Sequence, residues 1–335
     1  MPLRELPGLR SELERVDAYL TQFLPPDWEA GKTGEIVRAV MGQSGKRYRP
    51  RLVLIAGRLG PGYPACTDRL CKLGALVEFV HMASLVHDDI VDDSPLRRGA
   101  PTVQSQFGKD MAVYTGDLIL GRVLFVLLRE GLRDSGMLIG RTIEDMCRGE
   151  IGQFDCRFRT DATQKDYLEH VYGKTASMFV TALTVGGMES GCTAEALSVL
   201  EELGAHLGYL FQMRDDLLDL TSEEVREGKP VRSDFREGIF TLPVLHALAD
   251  PIYGPAMQAL ANRAAAGVLT PADLTELDRL VRVSGGLRMA VEAMEERRRA
   301  AAKLLAKLPA GDASQALAEL LALLAPPPGA TIWAA

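Results

Sequence analysis

The chain has 335 residues, of which 47% are hydrophobic and 25% are charged, and its formal net charge is −7. This composition is typical of a soluble globular chain with enough apolar material for a large core. The negative balance argues against a general nucleic-acid binder, because such proteins need a basic face. Small anionic ligands stay open, because they need only a few local cations.

The first twenty residues carry charges throughout and contain no apolar core segment, so we expect no secretory signal. No uninterrupted apolar run approaches the ~20 residues of a membrane span, and we therefore expect no transmembrane segment. The five cysteines are odd in number and lack CxxC spacing. This pattern indicates free thiols and a cytoplasmic location.

Apolar residues at three- and four-residue spacing predict helices along most of the chain. The clearest helical segments are 68–92, 110–133, 137–157, 194–220 and 290–308. Stretches rich in helix breakers separate them, at 25–28, 59–65, 94–101 and 227–234. Alternating strand-like runs are absent. The sequence therefore predicts a single all-α domain over residues 1–325, followed by a loose C-terminal tail over residues 326–335.

An acidic cluster, DDIVDD, ends the otherwise apolar segment ALVEFVHMASLVHDD. On a helix Asp88 and Asp92 are four residues apart and share a face, with Ser84 and His81 near the same stripe. A second cluster ends LGAHLGYLFQMRDDLLDL, where one helical stripe carries Gln212, Asp215, Asp216 and Asp219.

Either cluster alone is as readily explained by a solvated acidic face. Two occurrences on helices with apolar flanks favour metal binding, because like charges on one face repel unless a cation lies between them. Aspartate oxygens suit Mg²⁺, which keeps several waters and binds substrate phosphates. No set of histidines and cysteines has the spacing of a zinc site. His81 and His87 are better explained as core or supporting residues than as metal ligands.

Basic residues recur close to the acidic clusters. They occur in GKRYRP at 45–50, at Arg97 and Arg98, in the KTA motif at Lys174, and at Lys229. Each is alone typical of a solvated loop. Together they complement the acids, because the acids would hold metal, the metal would hold one diphosphate, and arginines bind phosphate oxygens through paired donors. A second diphosphate without metal would need the remaining basic residues.

Seven motifs over residues 35–250 resemble the trans-isoprenyl diphosphate synthases, also called polyprenyl synthetases, in that family's order and spacing. They are GKRYRP, HDDIVDDSPLRRGAPT, GEIGQ, KTA, FQMRDDLLD, GKP and EGIFTLP. The resemblance implies a single-domain all-α barrel of antiparallel helices of the isoprenoid synthase type, usually a homodimer, with both clusters at one mouth. It also implies condensation of an allylic prenyl diphosphate with isopentenyl diphosphate to an all-trans polyprenyl diphosphate.

The family's roles are carried over to the matching residues. Magnesium, three ions per site in the family, would be held by Asp88, Asp92 and Asp215, with Asp89, Asp216 and Asp219 in support. Arg97 and Lys174 would contact the allylic diphosphate, and Thr175 and Gln212 would steady the carbocation. The substrate-binding set is completed by Lys229 and by the isopentenyl diphosphate residues Lys46, Arg49, His81 and Arg98.

Two further expectations concern product length and departures from the family. Ala83 and Ser84 are small where short-chain members carry aromatic residues that block the product tunnel, so a product longer than geranylgeranyl is expected. The alternative is that these two residues are small only because neighbouring helices approach closely there.

The chain also departs from the family at two positions. It has Ile239 where the family often has lysine, and Arg232 where glycine is common. Arg232 is expected either to replace the missing cation or to be a solvated loop residue.

Two other functions stay open. A class I terpene cyclase also ionises an allylic diphosphate, but it usually lacks a second DDxxD motif and has no isopentenyl site. A non-catalytic subunit of a heteromeric synthase would be expected to lose acidic clusters. The retained clusters, GKRYRP and the Arg97–Arg98 pair favour the transferase over both.

Overall fold

The computed structural model describes residues 6–42, 45, 47–221 and 232–330. These ranges contain a 3₁₀ turn at Pro26–Glu29, a π-helical segment at Tyr172–Ala176, and an antiparallel pair of two-residue strands, β1 (Leu96–Arg97) and β2 (Ala100–Pro101). The remaining elements are α-helices, which confirms the predicted all-α class. They are α1 (Leu9–Gln22), α2 (Gly31–Gly42), α3 (Tyr48–Gly57), α4 (Thr67–Val91), α5 (Val103–Phe107), α6 (Lys109–Arg129), α7 (Arg133–Asp155), α8 (Gln164–Val171), α9 (Ser177–Glu189), α10 (Ala194–Thr221), α11 (Ser233–Arg236), α12 (Leu242–Ala249), α13 (Gly254–Ala265), α14 (Pro271–Val283), α15 (Gly286–Leu305) and α16 (Asp312–Leu323).

The helices predicted from periodicity correspond to α4, α6, α7, α10 and α15, with ends that differ by a few residues. The breaker stretch at 94–101 forms the small hairpin β1–β2, which the sequence did not predict. The stretch at 25–28 contains most of the 3₁₀ turn.

Helix α4 lies at the centre of the fold. It packs against α1, α3, α6 and α9, and α9 in turn packs against α3 and α10. From Leu73 to Val80 every residue of α4 is buried, as expected for a helix that is apolar on all sides. One continuous hydrophobic cluster therefore fixes the two long helices, α4 and α10, that carry the acidic motifs.

The C-terminal third packs onto α10 through α15. Residues Pro326, Pro327 and Ala330 are buried, and Gly329 lies against Thr221 at the end of α10. Pro326, Pro327 and Ala330, which belong to the expected loose tail, are therefore packed against the fold. Residues 331–335 of the expected tail lie outside the described residues.

Within the part of the chain that the structure describes, α4 and α6 are the two helices long and apolar enough to cross a membrane, by length and composition only. Polar residues interrupt both runs, so neither is a continuous apolar stretch, and the test rests on their mean hydropathy alone. In α4, 72% of the most apolar window is buried inside the fold, so this helix is part of the core. In α6 only 39% is buried, which leaves an apolar surface on this helix.

Candidate active site

Both acidic clusters lie at the C-terminal ends of long buried helices. Asp88 and Asp89 are in the last turn of α4, Asp92 caps that helix, and Asp215 and Asp219 lie in the last two turns of α10. The helix macrodipole is negative at this end, and neighbouring carboxylates repel each other. These positions are therefore unfavourable for the acids alone, and they favour binding of cations.

The π-helical segment brings the two clusters together. Lys174 Nζ lies 2.8 Å from Glu150 Oε1 and acts electrostatically on Asp88 and Asp92 of the first cluster. The next residue, Thr175, donates a hydrogen bond of 2.7 Å to Gln212 Oε1, beside the second cluster. Because these two residues are adjacent in the chain, both clusters border one site.

Close backbone contact fixes the π-helical segment against α7. A Cβ atom on Gly149 would lie 2.6 Å from the backbone nitrogen of Lys174, and Gly173 faces Gly149 in the same way. Both positions therefore need glycine for steric reasons. Short π-helical segments are frequent at functional sites, and this one aims consecutive side chains at different helices.

The charges of Asp88 and Lys174 depend on each other. Burial raises the pKa of the Asp88 carboxyl to about 7, with Lys174 opposing this change and Glu150 adding to it. Burial alone would lower the pKa of Lys174, but Glu150 and Asp88 raise it above its usual value. Lys174 therefore stays charged, and a cation near Asp88 would relieve the cost of its ionised form.

Asp89 and Asp216, two of the predicted metal-site aspartates, accept hydrogen bonds from protein groups. Asp89 Oδ1 accepts from Arg97 Nε at 2.7 Å, and the Asp89 side chain is only 2% exposed. Asp216 accepts from the Tyr167 hydroxyl at 2.6 Å and from Gln212 Nε2 at 2.8 Å. Burial raises the pKa of Asp216 to about 7, and these two hydrogen bonds oppose the rise.

Asp219 is held by the chain that follows the second cluster. Its Oδ1 accepts from Ser233 N at 3.2 Å and from Ser233 Oγ at 3.1 Å, and its Oδ2 accepts from Asp234 N at 3.4 Å. Burial raises the pKa of Asp234 well above its usual value, and Asp219 and Asp216 raise it further. Asp89, Asp216 and Asp219 are thus oriented by protein partners, as residues that support other ligands would be.

The donor set fits a hard divalent cation, because every candidate ligand is a carboxylate oxygen. Among the described residues, no group of three histidine, cysteine or acidic side chains is close enough to hold a metal ion by itself. Diphosphate oxygens and waters would therefore have to complete the coordination of any ion held here, which is the mode that Mg²⁺ adopts with phosphate substrates.

A basic cluster surrounds His81. Burial lowers the pKa of His81 well below its usual value, and Arg49, Arg98, Arg97 and Arg47 lower it further, so the ring is neutral at pH 7. Burial lowers the pKa of Arg49 to about 10, and its Nε is buried without a hydrogen-bond partner among the described residues. A buried donor without a partner is costly, and an anionic ligand would satisfy it.

Arg47 and Arg97 of this cluster are paired with acidic residues. Arg47 bridges Asp17 and the buried Glu78, each at 2.9 Å, and Arg97 holds Asp89. The hairpin loop carrying Arg98 lies against Gly45, where a Cβ atom would lie 2.6 Å from Arg98 Nη1. The predicted basic motifs at 45–50 and 97–98 are therefore brought together.

Not all of the predicted site residues contribute to the geometry described above. Lys46 and Lys229 lie outside the described residues. Ala83 is fully buried, so of the two predicted tunnel residues only Ser84 keeps accessible surface. His87 contacts the backbone oxygen of Val113 at 3.3 Å and faces Gly116 of α6, which fits the expected supporting role.

Arg232 was expected either to replace the cation that is missing at Ile239 or to be a solvated loop residue. The structure supports neither expectation. Its guanidinium donates two hydrogen bonds to Asp278 of α14, at 2.9 and 2.6 Å, and its side chain is 12% exposed. The ion pair draws this side chain to the C-terminal third of the fold.

Sequence reasoning missed three residues of the site. Glu150 lies in the GEIGQ motif, whose presence was noticed but gave no role to the acid. Tyr167 and Asp278 lie in ordinary polar helical stretches, and only the packing of α8 and α14 brings them to their partners.

Comparison with known proteins agrees with this geometry. The polyprenyl synthetase family matches residues 32–266. The chain is 36% identical over 242 residues to heptaprenyl diphosphate synthase component 2 of Geobacillus stearothermophilus, covering 72% of this chain and 74% of the relative. It is 33% identical over 277 residues to nonaprenyl diphosphate synthase of Mycobacterium tuberculosis, covering 83% and 81%. The crystal structure of a polyprenyl synthase from Caulobacter crescentus, complexed with calcium and isoprenyl diphosphate, superposes with a TM-score of 0.85 at 29% identity, covering 97% and 98%.

Proposed function

This chain belongs to the polyprenyl synthetase family and is a prenyl transferase, and we propose that it condenses an allylic prenyl diphosphate with isopentenyl diphosphate. The observation that carries the proposal is the pair Lys174–Thr175, because it joins the two acidic clusters at one site. Such a site has acids for metal, a half-buried lysine for phosphate, and a polar residue between them.

In this proposal Asp88, Asp92 and Asp215 hold Mg²⁺, and Asp89, Asp216 and Asp219 support them. The bound ions would neutralise the charge that develops on the departing diphosphate. Lys174 is available to the same diphosphate, because a lysine whose pKa is raised stays charged at the site. Glu150 holds this lysine in place until the substrate arrives.

A chain of hydrogen bonds prepares Thr175 for a cationic intermediate. The Tyr167 hydroxyl and Gln212 Nε2 both donate to Asp216, which fixes the amide of Gln212. The amide oxygen of Gln212 accepts a hydrogen bond from the Thr175 hydroxyl, so the lone pairs of the hydroxyl oxygen stay available to a carbocation. A fixed dipole of this kind stabilises charge without reorganisation during the reaction.

The basic cluster is proposed as the site for isopentenyl diphosphate. Arg49 has a buried unsatisfied donor, and neutral His81 can donate a hydrogen bond without adding charge. Arg98 lies beside this pair, and Lys46 and Lys229 are proposed as further contacts. An anion here would offset the repulsion among the arginines.

The product is proposed to be an all-trans polyprenyl diphosphate longer than geranylgeranyl. Ser84, one turn before Asp88, is small and retains accessible surface. The names of the heptaprenyl and nonaprenyl relatives support a long product.

The protein is proposed to act in the cytoplasm as a homodimer. Its five cysteines are free thiols, in keeping with a reducing compartment. Tyr114, Leu118, Phe125 and Leu128 form an exposed apolar stripe on α6, and a second copy would cover it. A different chain is the alternative occupant, since one relative is named as a component of a synthase.

The test is incubation of the pure protein with labelled isopentenyl diphosphate, farnesyl diphosphate and Mg²⁺, with product lengths resolved. We expect metal-dependent incorporation that chelation abolishes, and products longer than geranylgeranyl. Conversion of the primer alone to a hydrocarbon would indicate a cyclase instead. Absence of turnover by the pure chain, with activity only after a second protein is added, would indicate a subunit of a heteromer.

A further inference from the structure

Arg232 has an unusual backbone conformation directly beside the second acidic cluster. Its φ is +59°, in the left-handed region that residues with a Cβ atom seldom adopt. A glycine would adopt it without steric cost. An arginine at this position therefore needs an interaction elsewhere that favours it.

That interaction is the ion pair with Asp278. Arg232 Nε donates to Asp278 Oδ1 at 2.9 Å, and Arg232 Nη2 donates to Asp278 Oδ2 at 2.6 Å. The two side chains are 12% and 18% exposed, so water screens the pair weakly. Two-point contacts between arginine and carboxylate fix geometry as well as distance. Asp278 is itself fixed on α14, whose first turn is capped by Thr270 and Asp273.

The backbone of the same segment holds Asp219. Arg232 N donates to Asp219 O at 3.1 Å, and the next two residues, Ser233 and Asp234, donate to the Asp219 carboxylate. Three consecutive residues thus connect the side chain of Asp278 on α14 to the last aspartate of the second cluster.

We propose that the Arg232–Asp278 pair is a clamp that fixes Asp219, a supporting residue of the metal site, and this makes Arg232 and Asp278 positioning residues of the transferase. The inference rests on the proposed function, because it assumes that Asp219 belongs to the metal site. Removing the clamp would free the segment at 232–234 and leave the Asp219 carboxylate without a fixed orientation. Loss of groups that orient metal ligands typically weakens metal affinity by about 10- to 100-fold.

The experiment compares Arg232→Gly, Asp278→Asn and the double variant with the unaltered protein. Arg232→Gly removes the side chain but still allows the positive φ at this position. Asp278→Asn removes the charge but keeps the shape of the side chain. If Arg232→Gly does not fold, Asp278→Asn decides the test. Arg279→Ala is the matched control, because Arg279 makes the same two-point contact with Glu276 on the same helix, at 2.7 and 2.6 Å, in an exposed position.

Two quantities are measured. The first is the Mg²⁺ concentration for half-maximal rate at saturating substrates, which we expect to rise about tenfold in each single variant and no further in the double variant. The second is hydrogen–deuterium exchange of the peptide covering residues 233–240, without substrate. Exchange there should be faster in both clamp variants, because the amides of Ser233 and Asp234 lose their fixed acceptor. The KM for isopentenyl diphosphate should not change.

The clamp would be overturned if the Arg232 and Asp278 variants had the same exchange rates and the same Mg²⁺ dependence as the Arg279→Ala control. Additive effects in the double variant would overturn it as well, because two residues that act as one pair cannot each add a separate loss. If the unaltered protein does not condense the two substrates, the proposed function fails, and the exchange measurement alone decides whether the clamp orders residues 233–240.

Discussion

At the scale of single residues, the aspartates of this site fall into two groups with different surroundings. Asp89, Asp216 and Asp219 each accept hydrogen bonds from protein donors, which hold them in position. Asp88 is instead half-buried near Lys174 and Glu150, and loss of solvent around its carboxyl disfavours the charged form. A site that binds cations needs both kinds of residue, because a ligand must be available and must also be aimed correctly.

Asp88→Asn should separate function from stability. We expect turnover to fall by at least about a hundredfold, because a proposed metal ligand is lost. In metal-free buffer the variant should be more stable above pH 7, since burial raises the pKa of Asp88 from 3.8 to about 7. Ionised Asp88 therefore costs stability progressively as pH rises through this window. Steady-state rates and thermal melting with a chelator at pH 8 test both effects, with exposed Asp161→Asn as the control.

His81→Gln should reduce the sensitivity of the fold to acid. Burial and four arginines lower the pKa of His81 in the folded state, so below the usual value of 6.5 the unfolded chain binds the proton more readily. This group alone can cost up to ~1.4 kcal/mol per pH unit of acidification. Denaturant unfolding at pH 7.5 and 5.5 should show a smaller loss in the variant. Equal losses in both proteins would contradict a His81 ring that stays neutral in the folded protein.

Ser84→Phe should shorten the product distribution. Ser84 keeps accessible surface one turn from Asp88, so a phenyl ring there would occupy the space for the growing chain. Ala83→Phe is the comparison, because Ala83 is fully buried and a large side chain would overpack the core instead. We expect a folded enzyme with shorter products from the first variant and a destabilised protein from the second. An unchanged product distribution in Ser84→Phe would remove this residue from the control of length.

At the scale of elements, helical periodicity was enough to predict the helices that carry the acids, but not the segment that joins them. The stripes on α4 and α10 are long and regular, so their faces could be assigned from spacing alone. The π-helical segment at Tyr172–Ala176 has no periodic signal of its own, because it depends on the close approach of Gly149 and Gly173. Lys174 of the KTA motif could be singled out as a basic residue, but its position between the two acidic clusters could not.

Gly149→Ala should disturb the contact between α7 and the π-helical segment. The added Cβ atom would lie 2.6 Å from Lys174 N, so α7 and the π-helical segment would have to separate. We expect a loss of about 1–3 kcal/mol in stability from overpacking, and a fall in kcat as Lys174 and Thr175 move. Gly140→Ala on the same helix is the control, since its Cβ atom would meet nothing within 4 Å, and it should stabilise the fold by about 0.4–1 kcal/mol. Equal stability of the two variants would show that the contact is not tight.

At the scale of the whole molecule, the fold class followed from periodicity, whereas the joining of distant parts did not. Arg232 is an example of a contact between distant parts of the chain. Its sequence neighbours place it near the second cluster, but its partner Asp278 is 46 positions away on α14. No local pattern predicts such a pair, because it arises from how α14 packs beside α12 and α15. The C-terminal third, which lies beyond most of the motifs at 35–250, therefore reaches the segment beside the second cluster through a pair that only the tertiary structure reveals.

The exposed stripe on α6 leads to a prediction about assembly. Leu128 is 75% exposed at the end of a stripe that starts at Tyr114, with Gly121 at its centre where a Cβ atom would meet nothing within 4 Å. A second copy packed on this stripe would bury Leu128, so Leu128→Glu should shift a dimer to a monomer in sedimentation velocity, because an unpaired buried carboxylate is costly. Ile252→Glu is the matched control, because Ile252 is equally exposed at 75% but lies between α12 and α13, far along the chain from the stripe. A dimer that tolerates Leu128→Glu but dissociates with Ile252→Glu would move the interface away from α6.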